Sequence, residues 1–225
     1  RWSPSDLLLD MPSTSQNKAV YKQPAYALTV GFTYRIILSV TFEGNTVDYG
    51  VIGFEGAEAS TIVTDPTNSA NTVVKVIKSA SAQPWAGTTI TAAAALGLAS
   101  PVPFSTTNTS MSLKVWSPDA GIQVRLKVEN HSDVNQSVET EATTTVANGW
   151  QTLVFNFANQ ASGTAALNLA YSLDKASVFM NFSVPGSSVG EKTYYFDDLM
   201  MYVPSTGPTS SILSGSSAIC AGDST

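Results

Sequence analysis

Two short acidic segments stand far apart in this chain. One is Phe42-Glu43-Gly44. The other is Asp197-Asp198 within TYYFDDLMMYV, Thr193–Val203. Carboxylates near the start and end of a β domain could share a metal ion if the first and last strands lie side by side. Adjacent carboxylates inside an otherwise apolar strand also repel each other, and a bound cation would relieve that repulsion. An exposed strand edge would relieve it as well.

A second set of residues suits sugar recognition. A pyranose offers flat C–H faces that stack on aromatic rings, and hydroxyls that pair with Arg, Lys, Glu, Asn and Gln. Trp85 lies in a loop with Pro and Gly, QPWAG, an awkward place to bury an indole. It either meets a ligand or caps the edge of the fold. In QVRLKVE, Val124, Leu126 and Val128 alternate with Arg125, Lys127 and Glu129, so three charged side chains share one strand face. Glu139 and Glu141 share a face of SVETEATTTV. These charges form either the floor of a concave groove or a solvated face with cross-strand pairs. In SVFMNFSV the same alternation sends Val178, Met180, Phe182 and Val184 to the core. It sets Phe179 and Asn181 together on the opposite face, as a binding platform or a second buried layer. The ligand-binding candidates are therefore Trp85, Arg125, Lys127, Glu139, Glu141, Phe179 and Asn181.

Catalytic vocabulary is sparse. His131 is the only histidine, in the loop NHSDVN, so the chain has no HExxH. A Ser-His-Asp triad would have to be built on His131. Glu139 and Glu141 stand about 7 Å apart along one strand, a separation that glycosidase carboxylates also show. The balance of these observations is a protein that is not an enzyme.

Of the 225 residues only 12% are charged, and the formal net charge is −6. Nucleic-acid binding needs clustered Lys and Arg, which are missing. No run approaches the ~20 apolar residues of a membrane span, so neither nucleic acid nor membrane insertion is expected. The single cysteine, Cys220, excludes an intramolecular disulfide. Low charge with abundant Ser, Thr, Asn and Ala fits a secreted or cell-surface protein. Arg1 is not an initiator, so the chain reads as part of a longer product.

The elements that must position these residues are strands. Turn signals at Asp65-Pro66-Thr67-Asn68, Ser117–Gly121 and Asn148-Gly149 separate short β-branched or alternating runs. About nine or ten strands and no long amphipathic helix predict an all-β fold, an antiparallel β-sandwich of jelly-roll type, over residues 38–204. Residues 1–37 read as a loosely defined N-terminal arm or the end of an upstream segment. Thr88–Ala95 and Ala165–Tyr171 are open between strand or link and short helix. Residues 205–225 begin as a linker, STGPTSS.

The ordered segments FEG, NTVVKV, PWAGTTI, MSLKVWSPDAGIQVRLKVEN, SVETEATTTVANGWQTLVFNF and KTYYFDDL, spanning about residues 40–204, resemble non-catalytic carbohydrate-binding-module-like jelly rolls of secreted bacterial, Bacteroidetes-type, polysaccharide-degrading or surface glycan-binding proteins. The tail ICAGDST resembles the opening of an Ig-like or PKD-like repeat, which implies covalently linked neighbouring domains. The resemblance implies a polysaccharide or oligosaccharide ligand. It also implies a structural calcium ion joining first strand to last, with Glu43 and Asp198 as ligands. Two other functions stay open: a structural or adhesive sandwich without a sugar site, and a jelly-roll polysaccharide lyase or glycoside hydrolase.

Overall fold

The computed structural model describes residues 7–9, 36–44, 47–92 and 97–202. Within them the chain runs β1 (Leu7–Leu9), β2 (Ile36–Val40), β3 (Tyr49–Phe54), β4 (Thr61–Asp65), β5 (Asn68–Lys78), β6 (Gly87–Ala92), β7 (Ser110–Ser117), β8 (Gln123–Asn130), β9 (Asp133–Thr143), β10 (Gly149–Asn156), β11 (Lys175–Phe179), the four-residue helix α1 (Gly186–Val189) and β12 (Lys192–Met201). All named strand pairs are antiparallel, in a seven-stranded and a five-stranded sheet. This is the expected jelly-roll sandwich. Among the described residues no helix is long and apolar enough to cross a membrane.

Period-two burial builds the two layers. Val74, Val76, Leu113, Val115, Phe155, Tyr194 and Phe196 point inward from the larger sheet. They meet Ile90, Val124, Leu126, Val128, Ala176 and Val178 from the smaller one, and every one of these is essentially out of water. β-Branched side chains suit such pleated, closely packed surfaces. The smaller sheet has the order β3-β6-β11-β8-β9, and its outward face is free of the core.

β12 is the hub of the larger sheet. One edge pairs with β7. The other pairs with β5 over Lys192–Phe196 and then with β2 at Leu199 and Met200. Its partner therefore changes at Asp197-Asp198, where the ladder to β7 also shifts register and Asp198 adopts a positive φ of 49°.

Several expectations are sharpened. The segment from Thr88 is a strand as far as Ala92, and the 165–171 segment is an irregular link. Leu7–Leu9, placed by sequence in the arm, pairs with β2. The rest of the arm and the 205–225 linker and tail, with Cys220, lie outside the described residues. β11 stops at Phe179, earlier than SVFMNFSV implied. Asn181 and Ser183 have φ of +48° and +66°, left-handed conformations that end the alternation.

Lys78 explains how that turn is held. Its side chain, 2% exposed, ends under the turn, and Nζ donates to the carbonyls of Met180 (3.2 Å) and Asn181 (2.8 Å). Burial pulls its pKa down from 10.5 to about 8. Below about pH 8 the lysine is charged in folded and unfolded chains alike, and its burial cost is present in full. Above that pH the folded chain releases the proton first, and the cost disappears by about pH 10.5. Urea denaturation should therefore show wild type gaining stability relative to Lys78→Met between about pH 8 and 10.5, by up to about 3 kcal/mol. A flat difference across that window would show that the lysine titrates normally.

Candidate functional site

The outward face of the smaller sheet is a set of cross-strand rows fixed by register. One row runs Ile52, Thr89, Ser177, Lys127, Glu139. The next carries Phe54 opposite Gly87, and Phe179, Arg125 and Glu141 side by side. A third places Lys175, Glu129 and Ser137 together. Above them lies a cavity of about 440 Å³, lined by side chains of all three rows together with Trp85 and Phe182.

One end of this groove is aromatic. Phe54 and Phe182 each meet Phe179 edge-on, with ring centroids 5.7 and 5.9 Å apart. The Arg125 guanidinium sits 3.6 Å from the centroid of Phe182, a cation–π contact. Trp85, 51% exposed, stands at the rim. Its loop is anchored to the turn after β11 by the Ser183 N–H donating to the Pro84 carbonyl, and Phe182 N–H donates to the Gln123 carbonyl. Gly87 makes the aromatic end possible: a Cβ there would come within 2.7 Å of both Phe54 and Phe179.

The floor is polar and cross-linked. Arg125 Nε donates to Glu141 Oε1 (2.7 Å), Nη1 to Glu139 Oε2 (2.8 Å), and Nη2 also pairs with Glu141. Gln123 Nε2 donates to the other Glu141 oxygen at 2.6 Å. Lys175 and Lys127 both reach Glu129, at 2.7 and 2.5 Å. Lys175 pairs with Glu129 Oε1 and Lys127 with Oε2. Thr89 and Ser177 share a hydroxyl hydrogen bond of 2.8 Å.

Of the seven ligand candidates, Trp85, Arg125, Lys127, Glu139 and Phe179 line this cavity, and Glu141 braces Arg125 beside it. Two assignments are corrected. Asn181 is buried in the turn, gives its carbonyl to Lys78, and does not share a face with Phe179. Phe182, expected in the core, lines the groove, because the alternation ends at Phe179. Phe179 is itself 8% exposed, a buried support for the other rings. Lys175, Ser177, Phe54 and Thr89 were missed. Lys175, Ser177 and Phe179 alternate in KASVF, and reading the strand two residues earlier finds that lysine.

The acidic segments meet at the fork of β12. Asp197 is 1% exposed. Asn71 Nδ2 donates to its Oδ2 at 3.1 Å, and Oδ1 is buried without a hydrogen-bond partner. Burial, then the charge of Asp198, pushes its pKa up to about 6, and Glu43 adds to the same repulsion. Asp198 behaves differently: its Oδ2 pairs with Lys114 Nζ at 2.7 Å. Among the described residues no three or more His, Cys, Asp and Glu side chains gather tightly enough to hold a metal ion. A hard cation here would draw on amide and main-chain oxygens as well. The unpaired Asp197 oxygen fits that chemistry.

His131 lies at the tip between β8 and β9. Its Nδ1 is 2.7 Å from Asp174 Oδ2, its N–H donates to Asp174 Oδ1, and Nε2 is 2.9 Å from Ser132 Oγ. This hydrogen-bond relay, Ser132 to His131 to Asp174, has the order nucleophile, base, orienting acid. It sits in open solvent, however, and Asp174 uses both oxygens to tie the tip to the segment before β11.

No family model matches the chain, and no curated protein sequence does. Solved structures do. It is similar to a family 11 carbohydrate-binding module from Clostridium thermocellum in complex with a β-1,3-1,4-mixed-linked tetrasaccharide, at 13% identity and a TM-score of 0.45, covering 73% of this chain and 94% of that one. It is similar to a family 30 carbohydrate-binding module of a cellulosomal cellulase of the same organism, at 12% identity and 0.46, covering 75% and 99%. It is also similar to an exo-β-agarase, at 18% identity and 0.47, covering 73% of this chain and 25% of that one.

Gly87→Ala tests the aromatic end. Overpacking should displace Phe54 or Phe179 and destabilise the fold by about 1–3 kcal/mol, with a changed near-ultraviolet circular dichroism spectrum. An unchanged urea midpoint and spectrum would show that the rings do not need this glycine.

Proposed function

We propose that this chain is a non-catalytic polysaccharide-binding module whose ligand lies along the outward face of β3-β6-β11-β8-β9. The observation that carries this reading is the groove. It has an aromatic end with an exposed indole at its rim, and a floor of charged and hydroxyl side chains already held in place by one another. Trp85 stacks on a sugar face, while Lys127, Lys175, Glu139 and Ser177 offer donors and acceptors to hydroxyls. The module holds an attached domain at high local concentration on its polymer. The low-charge composition supports a place outside the cell or on its surface.

Affinity electrophoresis against a panel of neutral and acidic polysaccharides tests the reading. One or more should retard the protein, and Trp85→Ala should weaken retardation at least tenfold, a loss of about 1.4 kcal/mol. A folded protein that no polysaccharide retards would instead favour a structural or adhesive domain. Retardation unaffected by Trp85→Ala would move the site elsewhere.

Within the same reading, calcium occupies the fork of β12, held by Asp197, Glu43 and neighbouring carbonyl or amide oxygens. Asp198 is committed to Lys114. The support is the buried, unpaired Asp197 oxygen. In chelator, Asp197 costs nothing below its unfolded pKa of 3.8, and the cost grows until about pH 6, to roughly 3 kcal/mol. Calcium should therefore raise the melting temperature at pH 7 and much less at pH 4. Asp197→Asn should abolish the calcium effect while stabilising the calcium-free protein at pH 7. A melting temperature indifferent to calcium at both pH values would remove the ion from the reading.

A further inference from the structure

The groove contains three cations, Arg125, Lys127 and Lys175. Each is neutralised within the face. Arg125 is held by Glu139 and Glu141, whose side chains are about one-fifth exposed. Lys127 and Lys175 share one partner, Glu129, whose side chain is only 6% exposed and gives one oxygen to each ammonium. Three positive charges thus face three negative ones, Glu129, Glu139 and Glu141. An anionic polymer entering this groove would lose hydration without finding a free cation, and would meet carboxylates already in place.

Glu129 is unlike the other two carboxylates. Glu139 and Glu141 converge on one arginine, so removing either leaves Arg125 paired. Glu129 alone serves two lysines from two strands, and its removal uncovers both at once. We propose that Glu129 is the specificity-determining residue of the groove, the carboxylate that keeps Lys127 and Lys175 from capturing anionic glycans and so restricts the site to uncharged chains. This rests on the reading of the groove as a polysaccharide site. Burial raises the pKa of Glu129, but the two ammonium groups outweigh it and hold the pKa below the ordinary carboxylate value. The device therefore stays charged at neutral pH.

The experiment compares a neutral polysaccharide retained in affinity gels with its own carboxymethylated derivative at low and high salt, for example hydroxyethylcellulose against carboxymethylcellulose. Wild type should bind the neutral chain with little salt dependence and the carboxymethylated chain at least tenfold more weakly. Glu129→Gln keeps the side-chain shape and should bind the carboxymethylated chain at least tenfold more tightly than wild type does, with the gain lost in high salt. Glu139→Gln, which leaves Arg125 paired to Glu141, should show no such gain. Should Glu129→Gln fold poorly, Glu129→Gln/Lys175→Gln releases Lys127 alone and should show a smaller gain of the same sign. Wild type binding the carboxymethylated chain as tightly as the neutral one would overturn the selector and leave the polysaccharide site standing. So would a folded Glu129 variant without the gain. Retention by no polysaccharide of either kind would overturn the site itself, and the selector with it.

Discussion

The register of β8 between β9 and β11 is the constraint on which the rest depends. Val124, Leu126 and Val128 are wholly buried in the sandwich. With a side-chain period of two, their burial forces Arg125, Lys127 and Glu129 outward together. A slip of one residue would bury two cations and a carboxylate and expose three β-sheet core residues, at a cost of several kilocalories per mole for each unpaired ion. The apolar layer therefore dictates the order of charges along the groove. Neighbouring strands obey the same rule: Ser177 and Lys127 are direct partners, as are Glu129 and Lys175, because Ala176 and Val178 must face the same core.

That rule also marks what the sequence makes legible. Where alternation is unbroken, as in QVRLKVE and the SVETEAT part of β9, residue types alone place Arg125, Lys127, Glu139 and Glu141 on one face, and the face exists. Trp85 was legible through its loop, since Pro84 and the following Ala-Gly leave an indole little to pack against. Legibility stops where the backbone leaves the pleat. Nothing local in MNFS announces that Asn181 and Ser183 turn left-handed. The stabilising contact for that turn, Lys78 from β5, is about a hundred residues away in the chain. A long-range buried cation decided where Phe182 and Asn181 went. No periodicity could have shown it.

The two aspartates of β12 teach the same lesson in the larger sheet. Sequence identifies them as anomalous, because two adjacent carboxylates interrupt an apolar strand. Which of them is buried depends on a feature that only the fold supplies. β12 changes partner from β5 to β2 at this point, and the positive φ at Asp198 breaks the inward–outward alternation. Asp197 turns into the fork beside Asn71, and Asp198 swings to Lys114 on the neighbouring strand. One carboxylate carries a burial penalty and the other relieves its charge at the surface. The asymmetry makes Asp197 the group for which carrying a charge is costly.

The ion-paired floor has a cost that bears on its purpose. Half-buried salt bridges contribute little net stability, and well-packed apolar side chains would hold the sheet at least as firmly. Stability alone therefore does not account for six charged residues cross-linked on a face that solvent can reach. Their effect is geometric. Arg125 is fixed from three directions, by Glu139, by Glu141 and by the ring of Phe182, and the lysines are fixed by Glu129. Side chains immobilised by one another lose little further rotamer entropy when a ligand arrives, and that entropy is one of the larger costs of binding with long, flexible residues. A floor whose donors and acceptors are set in advance, next to an aromatic end that is rigid for steric reasons, is the arrangement on which the proposed polysaccharide site rests.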